Sequence, residues 1–387
     1  MNTYFCTLKP LGEYFLGGER TFGFRGRSKK DGEVKGKNEY YIRSEEIPSQ
    51  ATVFGALRFL VLLAHGKLND EDSGVIVDRA ETESLIGANG FSIDHWREEN
   101  SYGLIESIGP VFLWEEKSKT PLIPTPLNHK VNDENKKENE IYRPFSLSGV
   151  PVYSDQGEGG LLPTDYVAKD GIASSFLRLE KDGTGKIVRR NDIFGGQEHT
   201  RIFIDRAENG SQEKSFFKKE YKYLKQAKDA SYAFGFYCKA AEGAFTNGDA
   251  VVYLGQDKSP FLFRWEQFEG EALFERALPL NPGPLPEGIH AYYVCSDTLV
   301  TENFPQNVAY AVIRRRQIRT LVTRGRADMP DEERRRNYRD RRYPSRLYQL
   351  IRAGSVLYLR GDDPVPAGER TLKKVGFNYI VEIGGKA

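Results

Sequence analysis

The chain has 387 residues, and at roughly 150 residues per domain that length points to two domains. Apolar (39%), aromatic (12%) and charged (29%) fractions supply real cores and exclude wholesale disorder. The net charge of +1 becomes informative once it is divided along the chain. Arg314 to Arg352 holds 14 Arg, no Lys and five acids, net +9; Arg20 to Arg43 holds eight bases against three acids, net +5; the remainder is −13. Basic segments on an acidic background are the footprint of a polyanion binder or of a chain that meets an acidic protein, with solvated helix faces as the plainer alternative. Arginine without lysine favours planar, bidentate phosphate or base contacts.

In chain order, alternation around Tyr4, Cys6 and Leu8 predicts an opening strand that Pro10 and Gly12 end. Residues 17–38 carry six glycines beside seven bases, and read as a loop able to lie along a phosphate backbone, since Gly permits close approach while Lys and Arg neutralise charge. Val53, Phe54, Leu57, Leu60, Val61 and Leu63 then recur with helical spacing behind Ser49, a candidate N-cap. The start of this helix, with Ser49, Gln50 and Thr52, is either a cap only or a place where an anion meets free backbone N–H groups. Gly103 to Trp114 suggests a strand pair, and the segment from Thr120 an extended, Pro-interrupted edge. Asn128 to Asn139 is a polar excursion, Gly149 to Ala173 a long irregular connection, Thr200 to Asp205 a strand, and Lys214 to Lys228 a polar helix or long loop.

From Ser231 the pattern alternates again, and a strand, a Gly turn and a strand follow over Val251 to Trp265. A second domain is expected to begin here, giving units of 1–229 and 230–387. A helix is predicted near Glu266 to Leu278, then a Pro-rich linker to Pro286, strands from His290 to Val300 and Asn307 to Ile313, and an arginine-rich helix between Pro330 and Pro344. Strands at Ser355 to Arg360 and Phe377 to Ile383 close the chain. Strands outnumbering helices in each half give an α+β class.

PLGEYFLGGERTFGF followed by IPSQATVFGALRFLVLL resembles the start of RAMP-superfamily proteins of CRISPR systems, most closely the third Cmr subunit of type III-B effector complexes. ESIGPVFLW with TPLIPTPL, the Gly turn of VVYLGQDKSPFLF, and AGSVLYL with VGFNYIVEI extend the likeness over most of the chain. The resemblance implies two ferredoxin-like (RRM-type) domains with long insertions. It also implies binding of the 5′ repeat-derived tag of a CRISPR RNA, docking to the large polymerase-cyclase subunit and to backbone RAMP subunits, and target RNA met only indirectly. Arg20, Arg25, Arg27, Arg43, Ser49, Gln50 and Arg58 are carried over as tag contacts. Arg314, Arg315 and Arg316 open a cluster denser than the family pattern, facing RNA or an acidic neighbour.

No nucleophile, acid/base pair or metal cluster stands out, and neither a cofactor nor a metal is expected. The runner-up is a metal-independent endoribonuclease that processes precursor CRISPR RNA, with His129 beside Lys130 or His65 beside Lys67 as first suspects. A third reading is a protein-interaction subunit with no RNA contact. Cys6, Cys238 and Cys295 form no CxxC pair and read as core residues. The longest apolar run, Val53 to Ala64, is interrupted by Arg58 and too short to span a bilayer, and MNTYFCTLKP is no secretory signal, so a cytoplasmic protein is expected.

Overall fold

The protein is described from a computed structural model. It covers residues 1–25, 37–68, 79–88, 90–131, 142–144, 147–148, 153–154, 157–158, 162–163, 175–179, 185–204, 214–226, 230–245, 248–255, 257–301, 307–323, 342–361 and 370–384. Strands dominate and helices are few, an α+β composition.

A nine-stranded antiparallel sheet forms the centre. Its middle strand, Tyr232–Ala240, pairs on one side with Asn2–Pro10 and on the other with both Phe112–Glu115 and Ile105–Ile108. Beyond Asn2–Pro10 come Ser259–Gln267 and the edge strand Ala250–Leu254. Beyond Phe112–Glu115 come Thr120–Pro124, Ser175–Leu179 and Gly185–Arg189. The opening strand thus forms where alternation predicted it. The 229/230 boundary falls inside the system of this sheet: both neighbours of Asn2–Pro10 come from beyond residue 230.

Helix α1 (Gln50–Ala64) covers one face of the sheet, burying Val53, Phe54, Leu57, Leu60 and Val61 against Tyr4, Cys6, Leu8, Phe234 and Phe236. Helix α2 (Arg79–Ile86) packs beside it. The opposite face, with Phe5, Phe112, Ile123 and Leu177, is covered by Tyr293, Val356 and Tyr358 of a second, four-stranded sheet ordered Val308–Val312, Val356–Arg360, Ile289–Val294, Ile380–Glu382. Two hydrogen bonds, the first buried and the second part-buried, pin the layers: Asn128 Nδ2 donates to Tyr358 Oη at 2.9 Å, and Tyr293 Oη to the Pro124 carbonyl at 2.7 Å.

In their described parts both basic segments are antiparallel strand pairs, an arm hairpin and a second basic hairpin. Gly17–Arg25 pairs with Lys37–Ser44, and the hairpin is extended by Lys214–Leu224 and Phe194–Ile204 into a four-stranded arm sheet with one parallel pairing. Arg315–Ile318 pairs with Tyr348–Ile351, and Leu321–Thr323 continues outward against Arg342–Pro344. The described parts of the expected loop at 17–38 are therefore strand, with Phe22 and Phe24 alternating with Thr21, Gly23 and Arg25. Over Lys214–Leu224 the expected polar helix or loop is a strand: counting charge hid the period-two placement of Phe217, Lys219, Tyr221 and Tyr223.

The Thr120 segment is an interior strand rather than an edge, paired on both sides. No helix forms at Glu266–Leu278. Gln267 ends a strand, and an irregular segment then buries Phe274, Leu278 and Leu280, so burial overrides a helix-favouring composition. The helix expected after Pro330 lies outside the described residues, although Arg342–Pro344, at its predicted end, is strand. Two short helices went unpredicted besides α2: α3 (Arg190–Ile193) and α4 (Arg370–Lys374). No helix among the described residues is long and apolar enough to cross a membrane.

Candidate nucleic-acid interface

The loop between the arm hairpin and α1, residues 45–49, runs past the base of the second basic hairpin. A cleft of about 230 Å³ opens there, walled by Glu45, Glu46, Ser49 and Gln50 on one side and by Arg314, Arg316 and Arg352 on the other, with Arg190 of α3 at its mouth. At the helix start the Ser49 side chain is a cap: its Oγ accepts the Thr52 amide at 3.2 Å and pairs with Thr52 Oγ1 at 2.9 Å. The amides of Gln50 and Ala51 have no protein acceptor among the described residues, so the positive end of the α1 dipole faces the cleft. Gln50 is 7% exposed and its Oε1 has no hydrogen-bond partner among the described residues.

Four arginines meet three carboxylates in the cleft wall. Arg316, 17% exposed, is held between Asp297 Oδ2 at 3.0 Å and Glu45 Oε1 at 3.4 Å, while Arg352 reaches Glu45 Oε2 at 3.5 Å. Arg190 Nε donates to Glu46 Oε1 at 2.6 Å. Arg314 has a lowered pKa, from burial first and then from the charges of Arg352 and Arg190. An arginine stays protonated regardless; burial is the larger cause, and the Arg352 and Arg190 charges add to it as like charges gathered in the same cleft.

Across the Glu46–Arg190 pair the cleft continues into a shallower groove of about 370 Å³ on the arm sheet, lined by Tyr41, Arg43, Glu220 and Lys222 with Gly195 and Gly196. Arg43 lies 5.4 Å from the Tyr41 ring centre and 3.9 Å from Glu220. The Tyr41 hydroxyl donates to Glu198 at 3.0 Å and Glu220 at 3.2 Å; burial and these carboxylates push its pKa up to about 12. Burial works to raise the Glu220 carboxyl, but hydrogen bonds from Lys222 and Tyr41 and the Arg43 charge bring it below its usual range. The groove sets three bases, Arg43, Arg190 and Lys222, beside two carboxylates, Glu46 and Glu220, with the Tyr41 ring and guanidinium planes among them, and rings and guanidinium planes of this kind can hold single-stranded nucleic acid.

The family model for the CRISPR-associated protein Cas_Cmr3 matches residues 6–384. The chain belongs to the Cas_Cmr3 family. It is also similar to a chain in a cryo-EM structure of the Type III-B Cmr-beta bound to cognate target RNA, with 13% identity, a TM-score of 0.41, and 92% of this chain and 86% of that one covered. A second, of the same complex with cognate target RNA and AMPPnP, gives 12% identity, a TM-score of 0.40 and the same coverage. No curated protein matches.

In this Cas_Cmr3 chain the expected contacts divide. Ser49, Gln50, Arg314 and Arg316 come together in the cleft, and Arg43 lies in the adjoining groove. Arg20 and Arg25 lie on the first strand of the arm hairpin, and Arg27 falls outside the described residues. Arg58 is elsewhere: its Nε donates to the Ile86 carbonyl at 3.1 Å, tying α1 to α2 beside Tyr102. Arg315 points away from the cleft, since successive strand residues alternate. Each histidine suspect has a local hydrogen-bond partner. His65 Nδ1 lies 2.8 Å from the Val61 carbonyl, and burial pushes His129 down to about 4, with Nδ1 2.7 Å from Asn128 Oδ1. Arg190, Lys222 and Arg352 were missed. Arg352 is the last residue of the arginine-rich run, but Arg190 beside Arg189, and Lys222 among Lys218, Lys219 and Lys225, lie far in sequence from both basic segments, and only the folded arrangement brings them in.

Proposed function

We propose that this Cas_Cmr3 chain is a non-catalytic CRISPR RNA-binding subunit of a type III-B (Cmr) effector complex in antiviral defence, gripping the 5′ repeat-derived tag. The observation that carries the reading is the convergence of the α1 N-terminus with the bases of both basic hairpins on one cleft. Backbone phosphates of the tag would sit against Arg314, Arg352 and the Gln50 and Ala51 amides, with the strand leaving over Arg190 toward Arg43 and Lys222. In this reading the central sheet with α1 and the four-stranded sheet with α4 correspond to the two ferredoxin-like units. Docking to the large polymerase-cyclase subunit and to a backbone RAMP subunit brings target RNA near without direct contact, in the cytoplasm. Membership of the Cas_Cmr3 family over residues 6–384 supports the assignment.

The test incubates the purified chain, without added metal, with labelled repeat-derived RNA across a salt series. Retention of intact RNA that weakens steeply with salt is expected, and Arg314→Ala with Arg352→Ala should lower the logarithmic salt slope by about 1.4 for two single-strand phosphate contacts. Site-specific cleavage would instead select the endoribonuclease.

A further inference from the structure

The arginine run does not act as one patch. Strand alternation over Arg315–Ile318 sends Arg316 and Ile318 inward and leaves Arg315 and Gln317 exposed, and Arg319 just beyond the strand is exposed as well. In the same three-stranded sheet Gln317 lies opposite the exposed Gln349, whereas Arg315 and Thr298 both lie opposite Ile351 in a row where Thr298 and Ile351 are buried, so the outward face is open along Arg315, Gln317 and Gln349 and closes at its Thr298–Ile351 corner. That face continues through Val300, 52% exposed, and Leu347, 49% exposed. Neither Arg315 nor Arg319 has a carboxylate partner among the described residues, unlike Arg316 on the reverse side.

We infer that this face, formed by Arg315, Gln317, Arg319, Leu347, Gln349 and Val300, docks an acidic protein surface that carries its own apolar centre. Charge complementarity selects the partner: two arginines without carboxylate partners among the described residues border two exposed aliphatic side chains, the pattern of a polar rim around an apolar contact. RNA fits it poorly. Single strands are held by stacking on aromatic rings as well as by charge, and Tyr348, between Leu347 and Gln349, is turned to the other side with its hydroxyl on Asp94 Oδ1 at 2.9 Å. A second copy of the chain fits poorly too, because a two-fold contact would bring like charges together. One strand thus serves two partners, with RNA on its inner side and protein on its outer side. The outer half of this inference takes the partner to be another effector subunit, and so rests on the function proposed above.

The test places benzoylphenylalanine at Gln349 of the full chain, mixes it with the purified effector subunits and repeat-derived RNA, and identifies the photocrosslinked species. A crosslink to an acidic segment of another protein subunit is expected. A crosslink to RNA, to a second copy, or to nothing in an assembled complex overturns the inference. In parallel, Arg319→Glu with Leu347→Ser should weaken association with that subunit at least about tenfold, while RNA retention by the isolated chain and its thermal midpoint stay as in the parent. Unchanged association sinks the docking face. A wild-type chain that retains RNA yet associates with no subunit also overturns the docking inference, whereas loss of RNA retention by the wild-type chain itself removes the RNA reading.

Discussion

At the scale of single residues, two side chains near the cleft have separable roles. Ser49 holds the first turn of α1 through the Thr52 amide, so Ser49→Ala should lower stability by about 1 kcal/mol in denaturant titration. RNA retention should change little if the Gln50 and Ala51 amides make the contact. His129 gives a pH dependence with a definite sign. Burial depresses its folded pKa from 6.5 to about 4, so the unfolded chain takes up the proton first as the medium acidifies. Its contribution is fully present above about pH 6.5 and is lost as pH falls toward 4, on the order of 3 kcal/mol over the whole window. Comparing melting curves of the parent and of His129→Gln between pH 7 and pH 4.5 checks this: the parent should lose the larger share of its stability, and parallel curves would refute it.

At the scale of elements, the described parts of both basic segments are antiparallel strand pairs, and the α1 N-terminus lines one cleft with Arg314, Arg316 and Arg352 at the foot of the second pair. The sequence exposed α1, the opening strand and the hairpin around Gly255, because each carries a local signal: a 3.6-residue period, strict alternation, or a glycine at φ 73° whose Cβ would lie 2.4 Å from the Phe15 carbonyl oxygen. It concealed the arm sheet, since Lys214–Leu224 mixes bases and aromatics in a way that reads as polar unless counted in twos. The site was half legible for the same reason. Charge density found Arg314 and Arg316, but nothing local marks Arg190, which enters through a helix of four residues, and Arg58 looked basic while serving an α1–α2 contact. The arm hairpin has its own test. Replacing Arg20, Arg25 and Arg27 together by Ala should weaken retention of repeat-derived RNA and reduce the logarithmic salt slope by up to about 2, at roughly 0.7 for each phosphate no longer neutralised. An unchanged slope would remove the arm from the RNA path.

At the scale of the whole molecule, sheet order decides what folds with what. Asn2–Pro10 contributes Tyr4, Cys6 and Leu8 to the core under α1, and both of its neighbours, Tyr232–Ala240 and Ser259–Gln267, arrive from the second half of the chain. A fragment of residues 1–229 would leave both edges of that strand unpaired and the α1 face only partly covered, while 230–387 would lack the helix under Phe234 and Phe236. Each fragment alone should therefore lack a cooperative thermal transition, and the two expressed together should regain it. The cleft divides the same way, with Ser49, Gln50 and Arg190 on one fragment and Arg314 and Arg352 on the other, joined by the Glu45 pairs to Arg316 and Arg352. Salt-dependent RNA retention should then return only in the co-assembled pair. A cooperative transition in residues 230–387 alone would mean that the second half closes its own core, and that the shared sheet is an interface between units that fold independently.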